Sequence, residues 1–543
     1  MKKKRNNLLF MCIIIGMLSI CLGVAEAADR PLRMVSGWPA LIDPGVGSDS
    51  TALKLFVNIY ETLVSVDKNT GLTEPFIAKS WDITDNGKSW IFHLQEGVKF
   101  HDGTELTAED VKFSMDRLTT IGEGFAFLFL NRVISTEVID RYTVTFLLKK
   151  PVGPFSKMLC NFYVLNKDLV LKNIKKPGPY GDMGDYGKEW LTTHDAGSGP
   201  YMVKEYLPTE SITLIVNPNY WRPLNDLAPD ECIVYNITEP STLLTMFKNR
   251  EIEIGYHQSS KQMIESAEKI EGVSIKKYPQ NGVYFFMINN KKPPTDDIHF
   301  RKAMAWGIDY KTIEEKIFIG MTKAKGPVPK GCPGFDNTIL EYNYDLGKAK
   351  EELKKSKYYN ELDKYPVYVT WLDRVPDQEK AVLLLMNNMA ELGIKIIPVK
   401  EPWTKTVQDT SKLETSPAME IIPVKGDYLE AGTFLENRYT SEAAPTWSQI
   451  EWLLDPELDA RIYDAVETID QNERFAKYSK ILHYLNDDLC ASISLLDLSF
   501  IVPYQSAYVD WPGDESTILM PFSEYYLQDI KVYPEKRLNL LKK

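Results

Sequence analysis

His101 and Asp102 are neighbouring residues whose side chains could take part in acid–base catalysis. A carboxylate beside an imidazole can orient it as a general base, which is half of a catalytic relay. The pair opens the stretch HDGTELTAEDVKFS, which runs from residue 101 to 114. The same two residues could instead be ordinary polar residues of a turn, so the elements around them decide their role.

The flanking residues predict a strand, a turn and a helix. Apolar side chains recur at alternate positions in SWIFHLQEGVKF, residues 89 to 100, as in a half-buried strand. Asp102 precedes a glycine, which is typical of a turn. Thr107 and Asp110 then form an acidic variant of the capping box that begins many helices. We therefore interpret His101 and Asp102 as turn residues of a scaffold.

No other motif of the sequence supports catalysis. The six histidines lie far apart, and His-Glu-x-x-His, Gly-x-Ser-x-Gly, phosphate-cradling and dinucleotide-binding patterns are absent. The pattern Ser-x-x-Lys occurs at Ser65 and Ser274, but neither serine stands at a predicted helix start. Because triads can assemble from distant residues, a secreted hydrolase stays open as an alternative. The sequence favours a binding protein over an enzyme and predicts no metal and no cofactor.

Length and charge narrow the class of protein. A chain of 543 residues exceeds what one hydrophobic core supports, so two or three domains are expected. Hydrophobic residues make up 44% and charged residues 25%, as in globular proteins. The net charge is −12, and it becomes −15 without residues 1 to 27, which carry four basic residues and one acid. This acidity argues against nucleic acid as a partner, since phosphate binding needs Lys and Arg.

The N-terminus is typical of an export signal. Basic residues at 2 to 5 precede an apolar segment from 8 to 24, and small residues favour cleavage between Ala27 and Ala28. An uncleaved membrane anchor is the alternative, because the apolar segment approaches the ~20 residues that span a bilayer. Cys21 could mark a lipoprotein, but the bulky isoleucine before it makes this the less favoured interpretation. We expect a soluble, periplasmic mature chain.

The cysteines leave their pairing open. Four remain after the predicted cleavage, namely Cys160, Cys232, Cys332 and Cys490. In an oxidising compartment they could form up to two disulfides, in three possible pairings. Cys-x-x-Cys does not occur, so neither a zinc knuckle nor a thioredoxin-type pair is supported.

Helix and strand patterns mix along the whole chain, which is typical of the α/β class. The patterns predict two strands at 136–151, a Gly- and Pro-rich loop at 171–200, strands at 201–221, two helices at 297–318, a helix at 377–393 followed by a strand, and a helix at 473–489. Asp309 is expected to cap the second helix of 297–318.

Several collinear segments resemble one family. EPFIAKSWDITDNGKSWIFHLQEGVKFHDGTELTAEDVKFSMDRL, GSGPYMVKEY with NPNYW, and FRKAMAWGIDYKTI resemble the extracellular solute-binding proteins of peptide and nickel importers, the dipeptide- and oligopeptide-binding group of family 5. The resemblance covers essentially the whole mature chain. It implies an α/β, two-lobe periplasmic-binding-protein fold of class II, cluster C type, with an extra inserted domain in which GVKFHDG is scaffold.

The resemblance also implies domain boundaries. Two crossing strands join the lobes, and closure about this hinge buries the ligand. Lobe I combines residues 28–63, 190–278 and 497–543. The extra domain is 64–189, and lobe II is 279–496.

The function implied is that of the substrate-binding component of an ABC importer. Such a component is expected to be a monomer that captures a small solute, with a short peptide as the favoured candidate. It delivers the solute to a permease in the inner membrane. Family members also bind nickel chelates, haem, oligosaccharides and opines, so the fold leaves the solute open. A sensory receptor would share the same binding event.

Three candidate ligand-binding residues follow from the resemblance. Peptide-binding relatives hold the peptide ammonium with an aspartate, which Asp427 in VKGDYLEAGTFLEN matches. An arginine before a long helix holds the carboxylate, and Arg374 in VTWLDRVPDQEK matches it. Trp403 in EPWTKTV matches a tryptophan that lines the site. The alternatives are an exposed turn for Asp427, a surface ion pair with a neighbouring aspartate for Arg374, and plain core for Trp403.

Two positions depart from the peptide-binding pattern. Val424 stands where relatives usually have a tryptophan, and Ile421 stands where binders of longer peptides have an arginine. The wall of the pocket therefore differs from that of those relatives.

Overall fold

The computed structural model describes most of the chain after residue 29. The described residues are 30–37, 41–67, 70–237, 239–256, 261–512 and 525–542. The predicted export signal at residues 1 to 27 lies outside them. Within these ranges no helix is both long enough and apolar enough to cross a membrane.

Strands and helices alternate as the α/β prediction requires, and short 3-10 and π turns connect them. The strands are β1 Pro31–Val35, β2 Val64–Val66, β3 Thr73–Pro75, β4 Ala78–Thr84, β5 Ser89–Leu94, β6 Val133–Asp140, β7 Thr143–Leu148, β8 Tyr201–Leu207, β9 Ser211–Val216, β10 Glu231–Tyr235, β11 Ser274–Ile288, β12 Thr322–Lys323, β13 Val367–Leu372, β14 Ile396–Glu401, β15 Met419–Lys425, β16 Ser492–Tyr504, β17 Val509–Asp510 and β18 Lys531–Val532. The helices are α1 Ser50–Ile59, α2 Ala108–Ile121, α3 Phe155–Met158, α4 Lys167–Lys172, α5 Pro240–Lys248, α6 Lys261–Ala267, α7 Ile298–Trp306, α8 Tyr310–Thr312, α9 Leu346–Lys355, α10 Pro376–Ala390, α11 Trp403–Asp409, α12 Gly432–Tyr439, α13 Pro456–Glu467, α14 Gln471–His483 and α15 Pro534–Leu541.

The first sheet has the strand order β1-β10-β9-β8, in which β1 and β10 run parallel and the other pairs antiparallel. The motif GSGPY enters this sheet immediately before β8. The Cβ atom of an alanine at Gly197 would overlap the backbone carbonyl of Ile59, and one at Gly199 would meet the same segment. Only glycine allows this close approach between two backbones, which explains the two glycines of the motif.

The second sheet, β4-β5-β7-β6, is antiparallel and packs against α2. The predicted capping box is confirmed, because the Thr107 backbone N–H donates to Asp110 at 2.9 Å. His101 lies in the turn that the sequence predicts, and its Nδ1 lies 2.5 Å from the carboxylate of Asp195. Asp102 accepts hydrogen bonds from Thr104 in the same turn. His101 therefore holds the turn against the segment that leads into β8, whereas Asp102 stabilises the turn itself and accepts from the Asn166 side chain at 3.0 Å.

The third sheet has six strands in the order β12-β16-β11-β15-β13-β14. One face packs under α7, α9 and α10, and its core includes Ile421 and Met419. The other face carries a smaller apolar cluster that includes Ile422 and Val424. Alternate residues of β15 therefore serve two different surfaces, as strand geometry requires.

Two long strands connect the first sheet with the third. The first half of β11 pairs with the end of β16, and the register then shifts between Pro279 and Val283 before pairing continues into the third sheet. Ile254 bridges both Met34 of β1 and Tyr504 of β16. The pair β11 and β16 thus passes from one body of the protein to the other.

All four cysteines of the mature chain, which belong to the described residues, are free thiols. Burial raises the pKa of the Cys160 thiol to about 12. Neither of the two disulfides that the sequence permits is present.

Candidate functional site

The three predicted ligand-binding residues follow the carboxyl ends of three neighbouring parallel strands. Arg374 follows β13, Trp403 follows β14 and Asp427 follows β15. Strand β13 pairs in parallel with β14 on one side and with β15 on the other. Because parallel strands point their carboxyl ends in the same direction, all three residues lie at the same end of the sheet. Strand β15 extends beyond its last pairing with β13 at Glu420, so Asp427 lies farther along the strand direction than the other two.

Asp427 presents a half-buried carboxylate with no cationic partner. Its backbone N–H donates to the Thr433 hydroxyl at 2.9 Å, and the Asn437 side-chain amide donates to its carboxylate. Burial raises the pKa of the Asp427 carboxyl to about 6, although the bond from Asn437 acts in the opposite direction. Among the described residues no Lys, Arg or His forms an ion pair with it. A carboxylate withdrawn from water without a countercharge is favourable only if a cation arrives from elsewhere.

Asp427 lies where three parts of the chain meet. The Asn161 side-chain amide, from the segment between α3 and α4, donates to the Asp427 carbonyl at 2.7 Å. On the crossing strand β11, the Asn281 carbonyl accepts from the Gly426 N–H at 2.8 Å, and its side chain donates to the carbonyl of Tyr428 at 3.1 Å. The edge of the third sheet is therefore in direct contact with both the crossing strands and the segment that carries the second sheet.

Asn161 also lines the cavity next to Asp427. This cavity contains about 800 Å³ of empty space, part of it open to solvent. Tyrosines at 60, 163, 220 and 526 line it together with Glu61 and Arg222. The cavity thus combines aromatic walls with a few polar groups, which is typical of a small-molecule site.

Glu61 is a buried acid of this cavity that the sequence patterns do not single out. Its carboxylate accepts hydrogen bonds from Trp221 and Ser198 at 2.9 Å and from Tyr220 at 3.1 Å. Burial raises the pKa of Glu61 to about 7, against these hydrogen bonds. Its donors belong to the motifs GSGPY and NPNYW, so the two motifs share one buried acceptor. Glu61, Tyr220 and Asn161 are near the cavity only through tertiary folding.

Arg374 occupies an exposed turn directly after β13. Within the described part of the chain, neither a hydrogen bond nor an ion pair holds its guanidinium. Asp377, one of the acids that could have paired with it, instead contacts Lys380 at 2.7 Å. The guanidinium is therefore free to meet an anionic group at this edge.

Trp403 begins α11, and 43% of its surface is exposed, so it is not a core residue. Its ring meets that of Trp447 edge to face, with centroids 5.2 Å apart. Trp447 in turn packs on the apolar face that includes Val424 and Ile422. The two tryptophans form an aromatic wall at the edge where Asp427 and Arg374 also lie.

Strand β15 has an open side next to Asp427. Its pairing with β13 ends at Glu420, whereas its pairing with β11 continues to Lys425. Residues 421 to 425 therefore have a strand partner on one side only. Such an edge offers backbone N–H and C=O groups to an extended chain. Val424, which departs from the peptide-binding pattern, contributes to the apolar wall, and Ile421 points to the opposite face.

Metal chemistry has no local support in the described residues, where His, Cys, Asp and Glu form no group that could hold a metal ion. Two bodies joined by a pair of long strands are the architecture of a two-lobe binding protein.

Comparison with known proteins agrees with this architecture. The chain belongs to the bacterial extracellular solute-binding proteins, family 5, because the model of the middle region of that family matches residues 73–445. Members of this family are transport receptors and not enzymes, so this chain is a solute-binding receptor.

Individual relatives are similar over nearly the whole chain. The chain is 29% identical over 479 residues to the probable D,D-dipeptide-binding periplasmic protein DdpA of Escherichia coli, covering 86% of this chain and 88% of that protein. It is 26% identical to heme-binding protein A of Haemophilus influenzae, covering 81% of each. This chain also matches the solved structure of the periplasmic binding protein DppA from Helicobacter pylori in complex with the peptide STSA. The two structures superimpose with a TM-score of 0.73 at 23% identity, and the match covers 93% of this chain and 99% of that one. The two-lobe fold is therefore shown.

Proposed function

We propose that this receptor binds a short peptide between its lobes and delivers it to the permease of an ABC importer in the inner membrane. The observation that carries this proposal is the uncompensated carboxylate of Asp427 at the end of a strand with an open side. A short peptide supplies an ammonium for this carboxylate and an extended backbone for the strand edge. The names of two relatives, a D,D-dipeptide-binding protein and a binding protein in complex with a peptide, support the same class of ligand.

Each of the three edge residues has a role in this proposal. Asp427 pairs with the peptide ammonium, because an ammonium taken into a closed cleft needs a countercharge to offset its desolvation. Arg374 binds the peptide carboxylate, since its guanidinium has no partner among the described residues and can donate two parallel hydrogen bonds. Trp403 covers the apolar part of the peptide.

Closure of the lobes is part of the proposed mechanism. We place the hinge where β11 and β16 shift register, between Pro279 and Val283, because a bulge lets paired strands bend. In this proposal lobe I comprises residues 28–63, 190–278 and 497–543, the extra domain 64–189 and lobe II 279–496. The hydrogen bond from Asn161 to the Asp427 carbonyl holds the extra domain on lobe II in the closed state.

The cellular setting is also a proposal. The export signal is cleaved between Ala27 and Ala28, and the mature monomer acts in the periplasm without a lipid anchor. The relative DdpA is named as a periplasmic protein, which supports this location.

Binding experiments on the mature chain from residue 28 test the proposal. The protein is unfolded and refolded to remove retained ligand and is then titrated with di-, tri- and tetrapeptides by calorimetry. We expect a dipeptide or tripeptide to bind and to raise the melting temperature. Mass spectrometry should recover the peptide unchanged.

N-acetylated peptides of the same sequences are the matched controls, and they should bind much more weakly because Asp427 then has no ammonium to pair with. Equal binding of acetylated peptides would contradict the role of Asp427. Hydrolysis of the peptides would show a hydrolase instead of a receptor. If no peptide binds while a nickel chelate, haem, an oligosaccharide or an opine does, the solute is not a peptide.

A further inference from the structure

A second carboxylate near the proposed cleft has no role in holding the ends of a peptide. Glu420 lies on β15, and its side chain is completely buried. Both of its carboxylate oxygens lack a hydrogen-bond donor in the part of the chain that the structure describes. Burial, together with the nearby acids Glu401 and Glu451, raises the pKa of Glu420 to about 8. Buried acids without a partner are rare in proteins and tend to mark functional sites.

The position of Glu420 in the sheet shows which surface it serves. On β15 the side chains of Ile422 and Val424 point to the face that Trp447 covers. Glu420 is two residues before Ile422 and shares this face, because side chains alternate along a strand. It is therefore on the same side of the sheet as the aromatic wall of the proposed cleft.

Glu401 of β14 lies on the same face of the sheet, two strands away from Glu420. Thr370 of β13 is paired directly with Glu420, and Leu372 of the same strand is paired with Glu401 of β14. Thr370 has Val369 and Trp371 as neighbours, which point into the core on the opposite face, so the threonine points to the same face as Glu420. On β14 the residue opposite Thr370 is Val399, so Glu401 lies diagonally from Glu420, two residues farther along the sheet, and its charge still raises the pKa of Glu420.

The cations of this region do not neutralise Glu420. Arg438 forms a completely buried ion pair with Glu451 and stacks on Phe285. Lys405 lies 3.4 Å from Glu401 and also contacts Asp409, but its side chain is half exposed. Arg438 and Lys405 pair with other acids, although the Nε and Nη1 of Arg438 are buried without a partner, and no ion pair among the described residues includes Glu420.

Other polar atoms near Glu420 also lack partners. The backbone N–H of Asn289 bonds to the carbonyl of Ala418, which is two residues before Glu420. The Asn289 Nδ2 and the Ser416 hydroxyl are buried without a partner among the described residues, whereas the Asn289 Oδ1 accepts from the Lys291 N–H at 3.0 Å. Unpartnered polar groups therefore lie close to Glu420 on a face of the sheet that is otherwise apolar.

We propose that Glu420, together with Glu401, forms a subsite that takes a cationic group, an ammonium or a guanidinium, from a side chain of the bound peptide. The subsite deepens the proposed function and rests on it. Lys405 shows that an ammonium from the surface can reach Glu401, and Lys405 belongs to α11, the helix that Trp403 begins. Trp403 and Trp447 add aromatic faces, which attract cations. The receptor accordingly prefers peptides that contain lysine or arginine.

Pairs of peptides that differ only in one charge test this subsite. The probes are Ala-Lys and Lys-Ala, each compared with the same dipeptide carrying Nε-acetyl-lysine, so the peptide ends stay unchanged. We expect the wild-type protein to bind at least one lysyl dipeptide about tenfold or more tightly than its acetylated form, as for a charge-assisted hydrogen bond. In Glu420→Gln this preference should fall to about twofold or less, while the affinity for the acetylated dipeptide stays the same.

Glu351→Gln is the matched control, because Glu351 is an exposed acid on α9 of the same sheet domain. This variant should keep the full preference for the lysyl dipeptide. An equal affinity of the wild-type protein for lysyl and acetyl-lysyl dipeptides would overturn the subsite and leave Glu420 as a structural acid. Failure of all dipeptides to bind would instead refute the proposed function itself.

Proton release provides a second readout that needs no variant. At pH 7 Glu420 is protonated in the empty protein and must lose its proton when a cation pairs with it. Calorimetry of wild-type protein in two buffers of different ionisation enthalpy should show release of about one more proton with the lysyl dipeptide than with its acetylated form. Equal proton release by the two peptides would contradict the pairing, even if Glu420→Gln failed to fold.

Discussion

Replacing Asp427 by asparagine should make the empty protein more stable and at the same time weaken its binding of peptides. The carboxyl group has a pKa of about 6 in the folded protein against an ordinary value of 3.8. A shift of about two pKa units corresponds to a free energy of up to about 3 kcal/mol, which folding costs whenever the group is ionised. Asparagine keeps the shape and can still accept the hydrogen bond from Asn437, but it has no charge to desolvate.

The sign of the pH dependence follows from these two pKa values. Above pH 6 the carboxyl is ionised in both the folded and the unfolded state, so the whole cost is present. Between pH 6 and 3.8 the folded protein binds a proton that the unfolded chain does not bind, and the cost decreases. Below pH 3.8 both states are protonated and the difference between wild type and variant disappears.

The assay is urea unfolding of ligand-free protein at several pH values from 4 to 8, followed by calorimetric titration with Ala-Ala at pH 7.5. We expect Asp427→Asn to raise the free energy of unfolding by up to about 3 kcal/mol at pH 7.5. The same variant should lose about 2 to 5 kcal/mol of binding free energy, because the peptide ammonium then has no countercharge. Such opposite changes are typical of a residue whose role in function is unfavourable for stability.

The control is Asp377→Asn, because Asp377 is an exposed aspartate of the same sheet domain that pairs with Lys380. Its effect on stability should stay within about 0.5 kcal/mol, and binding should not change. Lower stability of Asp427→Asn at pH 7.5 would refute the reasoning, since the carboxylate would then be stabilising. Unchanged affinity for Ala-Ala would remove Asp427 from the binding site.

Three further predictions concern other residues. Glu420→Gln should be about 3 kcal/mol more stable than wild type at pH 7. The difference should grow as pH rises from 4.5 to 8, because only the unfolded chain loses the Glu420 proton in that range. A pH-independent difference in urea unfolding would contradict this. Arg374→Gln should leave the melting temperature unchanged and weaken dipeptide binding by about 1 to 3 kcal/mol, whereas C-terminally amidated dipeptides should bind wild type and variant equally in calorimetry. Gly197→Ala should cost about 1 to 3 kcal/mol of stability, because its Cβ atom overlaps the carbonyl of Ile59; Gly347→Ala, in the exposed part of α9, is the control and should change the melting temperature little.

Local sequence patterns predicted the elements whose stabilising contacts are local. The capping box at Thr107 was visible because its partners are three residues apart. Asp309 caps α8 as expected, with its carboxylate accepting from the Thr312 N–H at 3.0 Å. The strand predicted at 89–100 is shorter and ends at Leu94, because the chain then turns towards His101. Boundaries of this kind depend on neighbours that are distant in sequence.

The candidate site was only partly visible in the sequence. Asp427, Arg374 and Trp403 came from a family resemblance, and their placement at one sheet edge follows from parallel pairing of three strands. Glu420 gave no signal, because an acid in a strand is as easily an exposed residue as a buried one. Its burial becomes evident only when β11 and β13 lie on either side of β15.

The sequence by itself determined the α/β class, the main helices and strands, the acidic surface charge and the family resemblance, because each depends on composition or on residues close together in the chain. Only the tertiary structure decided which carboxylates lose contact with water, which cation pairs with which acid, and that the open side of β15 lies beside Asp427. The physical reason is that desolvation and ion pairing depend on distances between segments far apart in sequence. The charges that distinguish one solute from another are therefore set by folding and not by any local motif.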